Sequence, residues 1–228
     1  MHPDAVMLFA AGFGTRMGAL TQSCPKPMIQ VAGKPLIDHA LGFVHEIHPR
    51  QIVVNLHYLP QMIRDHLTDQ PIEFSEESNR ILETGGGLKA ALPLLGNGPV
   101  FTMNTDAVWK GPNPLALLQE AWKPAVMDAL LLCIPRHRAI GHSGQGDFIP
   151  GPNGVLTRGP GHVFSGVQIL KTDLLAGITE EVFSLNLLWD RMLQDERLYG
   201  VNYPGDWCDV GRPEGIALAE EMIGFQHV

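Results

Sequence analysis

The residues best placed for chemistry in this sequence are a pair of glycines, an arginine, a lysine and an aspartate. Gly12-Phe13-Gly14-Thr15-Arg16 follows a short apolar run at residues 6–11, and Lys26 stands ten residues beyond Arg16 between two prolines. A glycine loop at the carboxyl end of a buried strand turns backbone N–H groups outward and lets the chain approach a phosphate closely. Arg16 adds a planar fork of donors, and Lys26 adds a compact positive charge. A cradle with two cations suits a polyphosphate. The loop is not a P-loop, because no Gly-Lys-Ser/Thr closes it. Nor is it the dinucleotide fingerprint, because Met17 stands where the third glycine belongs, which also weakens a nicotinamide-dependent oxidoreductase. Asp106 follows the apolar stretch 100–103, where a carboxylate at a strand end points into the crevice that binds ligands in open α/β sheets.

The elements that must position these groups read as alternating strands and helices. Unbroken apolar runs at 6–11 and 100–103, with 51–56 and 126–135, have the look of strands buried on both faces. Apolar residues recur at helical spacing over 35–48, with Pro35 in the first turn. Further helices are expected at 60–67, 88–95, 115–122, 184–193 and 213–223, and further strands at 72–75, 163–170 and 198–203, with 109–114 a loop. This alternation predicts an α/β fold with a doubly wound, parallel sheet. Thr84 is a candidate cap for the helix at 88–95, and Gly85-Gly86-Gly87 before it exceed what a cap needs, which suggests close approach of something flat. Residues 136–161 lose apolar periodicity and are rich in glycine, proline, histidine and arginine, so they read as an irregular functional insertion. His45 and His48 on the first helix, and His137, His142 and His162 in and beside the insertion, read as solvated histidines rather than a metal cluster.

Composition narrows the classes. The chain has 228 residues, 45% hydrophobic and 18% charged, enough for one substantial core, so residues 1–228 are expected to form a single domain. The net charge of −8 and the lack of a basic block argue against nucleic acid as a partner. The three cysteines form no Cys-x-x-Cys pair and fit reduced thiols of a cytoplasmic protein. No stretch approaches the length of a membrane span, and the first apolar run lacks the cationic flank of a signal peptide. Oligomeric state leaves no trace.

The whole N-terminal string resembles the signature of the sugar-1-phosphate nucleotidyltransferases. Ala10, Ala11, Gly12, Gly14, Thr15, Arg16 and Met17 match its first part, Pro25-Lys26-Pro27 its second, and Gly33-Lys34-Pro35-Leu36 its third, with Phe9 in place of the usual leucine. Near the other end Trp207-Cys-Asp209-Val-Gly211-Arg-Pro213-Glu214 matches a further family string. The resemblance implies a Rossmann-like mixed, mostly parallel sheet flanked by helices, of the GT-A-like kind. It implies an enzyme that joins a nucleoside triphosphate to a sugar 1-phosphate and releases pyrophosphate. In that reading Asp106 and Asp209 hold Mg2+, and Arg16 and Lys26 are catalytic. Ala11, Gly12, Gly14, Thr15 and Asp106 bind the nucleotide, with Glu83 and Gly85 at the base. Glu76, counted back along the same loop, is a weaker base candidate.

The insertion should fold over the sugar phosphate, with Asp147 accepting from sugar hydroxyls and Gly166 in the sugar-facing turn. Thr105 stands where the family usually has glycine, and Leu156-Thr157-Arg158-Gly159-Pro160 where many members carry Glu-Lys-Pro. The chain stops after its last expected helix, so no C-terminal β-helix domain is expected. Its length, the Leu82-Glu-Thr-Gly-Gly-Gly87 string and Gly146-Asp147-Phe148 are most similar to the bacterial N-acetylmuramate-1-phosphate uridylyltransferase branch of cell-wall recycling. Mannose-1-phosphate guanylyltransferase and glucose-1-phosphate thymidylyl- or uridylyltransferase stay open, as does a non-catalytic nucleotide- or sugar-phosphate-binding module.

Overall fold

The computed structural model describes residues 1–226. In chain order its first elements are β1 (Ala5–Phe9), the two-residue strands β2 (Gln30–Val31) and β3 (Lys34–Pro35), α1 (Leu36–Glu46), β4 (Gln51–Leu56), α2 (Pro60–His66), β5 (Glu73–Glu76), α3 (Glu83–Leu95), β6 (Val100–Asn104) and β7 (Ala107–Lys110). There follow α4 (Pro114–Ala121), β8 (Ala129–Ile134), β9 (Ala139–Ile140), β10 (Phe148–Pro150), β11 (Leu156–Arg158), β12 (Val163–Leu170), α5 (Asn186–Gln194), β13 (Leu198–Asn202), β14 (Asp206–Asp209) and α6 (Glu214–Ile223).

Seven strands form the main sheet in the order β13-β8-β12-β6-β1-β4-β5. All neighbours are parallel except β12, which runs antiparallel to both β6 and β8. The sheet is thus mixed rather than purely parallel. Strand side chains alternate between two faces, and both faces are covered. Val6, Leu8, Val54, Phe101, Leu130 and Ile169 pack with Ile37, Leu41 and Val44 of α1, Ile63 of α2 and Leu115 of α4. Ala5, Met7, Val53, Val100, Leu131 and Leu170 pack with Leu88 and Ala91 of α3 and Leu188 and Met192 of α5. A smaller sheet in the order β7-β14-β9 lies under α6, around Val108, Cys208, Val210 and Ala219. Among the described residues no helix is long and apolar enough to cross a membrane.

The differences from expectation have local causes. Residues 109–114 begin as strand, because Trp109 pairs with Trp207 across the antiparallel β7–β14 ladder. The third helix starts at Glu83 and not at residue 88, so the three glycines lie inside its first turns, and Thr84 accepts the Leu185 N–H at 3.1 Å instead of capping. Pro35 stands just before α1 and not in its first turn. Within 136–161 the short strands β9, β10 and β11 order a region expected to be irregular, and β10 pairs with β11.

Candidate active site

The loop after β1 is shaped by one contact. Gly14 has φ of +63°, and a Cβ on it would lie 2.9 Å from both Lys26 Cβ and Thr21 Cγ2. Only glycine adopts that backbone freely and leaves Lys26 room to pass beneath the loop. Met17 is 1% exposed and its N–H bonds the Gly14 carbonyl at 2.8 Å, so the turn is anchored in the small core. At Gly12 a Cβ would meet nothing within 4 Å, which leaves that backbone open to a ligand.

Two distant aspartates meet because their strands pair. Asp106 lies in the turn between β6 and β7, and Asp209 ends β14 opposite Ala107. The Val210 N–H bonds the Asp106 carbonyl at 2.9 Å and closes the junction. Lys26 Nζ reaches Asp106 Oδ2 at 2.7 Å. Gly211 admits the remaining cation: a Cβ there would lie 2.8 Å from Asp209 Oδ1 and 3.2 Å from Arg16 Nη1. Arg16, Lys26, Asp106 and Asp209 therefore share one end of the fold.

Burial pushes the Asp209 carboxyl above its usual range, and the Asp106 charge pushes it further, while Lys26, Arg16 and His142 pull it part of the way back. Two carboxylates held together against their repulsion are hard oxygen donors that a divalent cation would neutralise. Among the described residues no group of three or more His, Cys, Asp or Glu side chains could hold a metal by itself. A divalent cation on the two carboxylates would need substrate phosphates and water to complete its shell.

Beside these groups is a cavity of about 200 Å³ lined by Ala11, Gly12, Lys26, Glu83, Thr105 and Asp106, with Asn55, Glu77 and Thr84 on its wall. Thr105 is 3% exposed and its hydroxyl donates to the Phe9 carbonyl at 2.8 Å, so it closes the end of β1 where a glycine would leave that oxygen bare. Gly85 is buried, and its N–H bonds the Phe183 carbonyl at 2.9 Å. The flat group against Gly85 is the Phe183 ring of the protein itself, and Gly85 is not in the cavity lining. Glu76 pairs with Arg64 on the surface, and the next residue, Glu77, faces the cavity instead.

On the sugar side the candidates are more dispersed. Asp147 is exposed, outside the cavity lining, and its Oδ2 accepts the Phe164 N–H at 2.8 Å. Gly166, with φ of +87°, lies against Asn104, and Asn104 lines the cavity. Arg158 stacks 4.8 Å above the Phe148 ring and bonds Asp190 through Nε and Nη2, which ties the insertion to α5. His142, expected in solvent, has Nδ1 4.0 Å from Asp209 Oδ2, and β9 brings it there by pairing with β14.

Sequence reasoning missed the segment 55–58 at the end of β4. Asn55 accepts the Ala10 N–H at 2.7 Å, the Tyr58 hydroxyl donates to the Thr21 carbonyl at 2.8 Å, and Phe13 packs on the His57 and Tyr58 rings. The available signal was one polar residue at the end of the apolar run QIVVNL. A buried polar side chain there needs a partner.

A family model described as the MobA-like NTP transferase domain matches residues 6–179. The chain is 37% identical to the N-acetylmuramate alpha-1-phosphate uridylyltransferase of Caulobacter vibrioides, over 97% of this chain and 97% of that one. It is 32% identical to the protein of the same name from Neisseria meningitidis serogroup B, over 96% of this chain and 97% of the other. A solved structure of UDP-glucose pyrophosphorylase complexed with UDP-glucose shares the fold, with a TM-score of 0.77 at 16% identity over 97% of this chain and 98% of that one.

Proposed function

The chain belongs to the MobA-like NTP transferase family, and from that premise we propose that its cleft joins UTP to N-acetylmuramate 1-phosphate. The two relatives named for that reaction support the substrate pair. The observation that carries the reading is the meeting of Arg16, Lys26, Asp106 and Asp209 beside a glycine loop and a cavity. In the reaction an oxygen of the sugar phosphate bonds to the α-phosphorus, the bond from that phosphorus to the bridging oxygen breaks, and pyrophosphate leaves. The nucleophile is anionic at neutral pH, so no general base is required.

Asp106 and Asp209 would hold a magnesium ion, which when bound supplies positive charge beside the reacting phosphates. Lys26 is held by Asp106 in the cavity lining, and it steadies the charge on the α-phosphoryl oxygens. Arg16, exposed on the loop, takes the departing β- and γ-phosphates with its fork of donors. The backbone of Ala11, Gly12, Gly14 and Thr15 receives the triphosphate, with Gly12 open and Ala11 and Gly12 in the cavity lining, and Glu83, also in the lining, is on the base side. Asp147 and Gly166 belong to the sugar side. Catalysis is then positioning plus electrostatic stabilisation. We place the protein in the cytoplasm, where nucleoside triphosphates are made, in cell-wall recycling, and take residues 1–228 as one catalytic unit.

The test incubates the protein with magnesium, each of five nucleoside triphosphates and a panel of sugar 1-phosphates, and follows pyrophosphate. Release with UTP and N-acetylmuramate 1-phosphate above all other pairs is the expected result. Tight nucleotide binding without release from any pair would favour a non-catalytic module and defeat the proposal.

A further inference from the structure

Two loops face each other across the cavity, and a pair of buried side chains bridges them. Asn55 and Glu77 are each 3% exposed. The Ala10 N–H donates to Asn55 Oδ1 at 2.7 Å, which settles the orientation of the amide and directs Nδ2 at Glu77 Oε1, 2.7 Å away. The other carboxylate oxygen, Oε2, accepts the Leu82 N–H at 2.7 Å. The Glu77 backbone is clamped as well, with its N–H on the Leu56 carbonyl at 2.8 Å and its carbonyl 2.6 Å from His57 Nδ1. Gly87 makes the space, since a Cβ there would lie 2.6 Å from Glu77 Oε1 and 3.0 Å from Asn55 Nδ2. The bridge runs from Ala10, at the root of the glycine loop, to Leu82, the neighbour of Glu83.

We propose that Asn55 and Glu77 are positioning residues that hold the glycine loop and the 77–82 loop at the separation a nucleoside triphosphate needs. The inference rests on the nucleotide reading of the cleft. Its logic lies in the direction of the hydrogen bonds. Both ends of the bridge are backbone donors, so the two side chains between them must together supply one amide and one carboxylate. Two amides would leave a donor facing a donor, buried and unpaired. The order of the two is immaterial. With Asn55→Asp and Glu77→Gln together, the carboxylate would accept from Ala10 and from the new amide, and the amide oxygen would accept from Leu82.

The experiment compares wild type, Glu77→Gln and the reciprocal swap Asn55→Asp with Glu77→Gln. It measures the Kd for UTP with magnesium and without acceptor, and the KM for each substrate. Glu77→Gln should weaken UTP binding about tenfold, because the free variant relieves its unpaired donor by letting the two loops part and UTP must draw them together again. The KM for the sugar 1-phosphate should change much less, a split that general loss of structure would not produce. The swap should return the UTP Kd to within about threefold of wild type, since every donor is again paired. UTP binding by Glu77→Gln equal to wild type would overturn the inference. So would a swap as weak as the single variant, because the carboxylate would then act from position 77 itself. If Glu77→Gln does not fold, the swap carries the test alone, in the same two directions. Failure of the wild type to bind any nucleoside triphosphate would instead remove the nucleotide reading on which the inference stands.

Discussion

Replacing Lys26 with methionine keeps the length of the side chain and removes its charge. Nζ lies 2.7 Å from Asp106 Oδ2, and the two side chains are 11% and 31% exposed. At an effective dielectric of about 20 the bare attraction at that distance is about 6 kcal/mol. Desolvation of the ammonium and solvent screening at the partly exposed Asp106 offset most of it, leaving about 1–2 kcal/mol of stability. The variant should therefore stay folded and melt only a few degrees lower. The effect on turnover should be larger. A preorganised cation facing charge that spreads in the transition state is worth about 3 kcal/mol, or about a hundredfold in rate. The assay is pyrophosphate release with both substrates saturating, beside a thermal melt of the same sample. A folded Lys26→Met protein turning over within about fivefold of wild type would refute the catalytic assignment of Lys26. A rate loss that merely tracked loss of fold would point to a structural ion pair instead.

Three further outcomes follow from the packing. At Gly86 an alanine Cβ would run into the Glu181 backbone carbonyl, which cannot swing aside, so Gly86→Ala should cost about 2–3 kcal/mol and lower the melting temperature. An unchanged melt would show that the 181–183 segment yields. Thr105→Val keeps the shape and strips the hydroxyl from the Phe9 carbonyl, at a cost of about 1–2 kcal/mol in denaturant unfolding. Burial alone would raise the Asp128 carboxyl, but hydrogen bonds from Arg197 and Lys171 outweigh it and hold the group below its usual value. The folded state therefore binds that proton less readily than the unfolded chain. The pairing contributes fully above about pH 4 and is lost as the pH falls through the depressed value. Asp128→Asn should flatten that acid limb of stability, and an unaltered pH profile would contradict it.

Much of the scaffold was legible because its causes are local. The runs QIVVNL and ALLLCI carry apolar residues on both strand faces, so they announce a sheet covered on both sides. Gly12, Gly14, Arg16 and Lys26 stand close in sequence, and their grouping needs only one turn to bring the two cations beside the glycine loop. The smaller sheet was hidden, since β7 and β14 are four residues each and draw their stability from partners about a hundred residues away. The same distance hid why Asp106 and Asp209 meet, because the ladder that joins them is long-range.

By itself, then, the sequence determined the alternation of elements, the make-up of the glycine loop and the identity of the charged groups, all of which depend on neighbours a few residues apart. Only the tertiary structure decided what each group faces. It turned Gly85 toward Phe183, placed Glu77 rather than Glu76 on the cavity wall, drew His142 beside Asp209 and engaged one oxygen of Asp147 with the Phe164 backbone. The physical reason is that burial, repulsion and hydrogen-bond satisfaction are properties of the assembled surroundings, and those surroundings come from segments that local pattern does not connect.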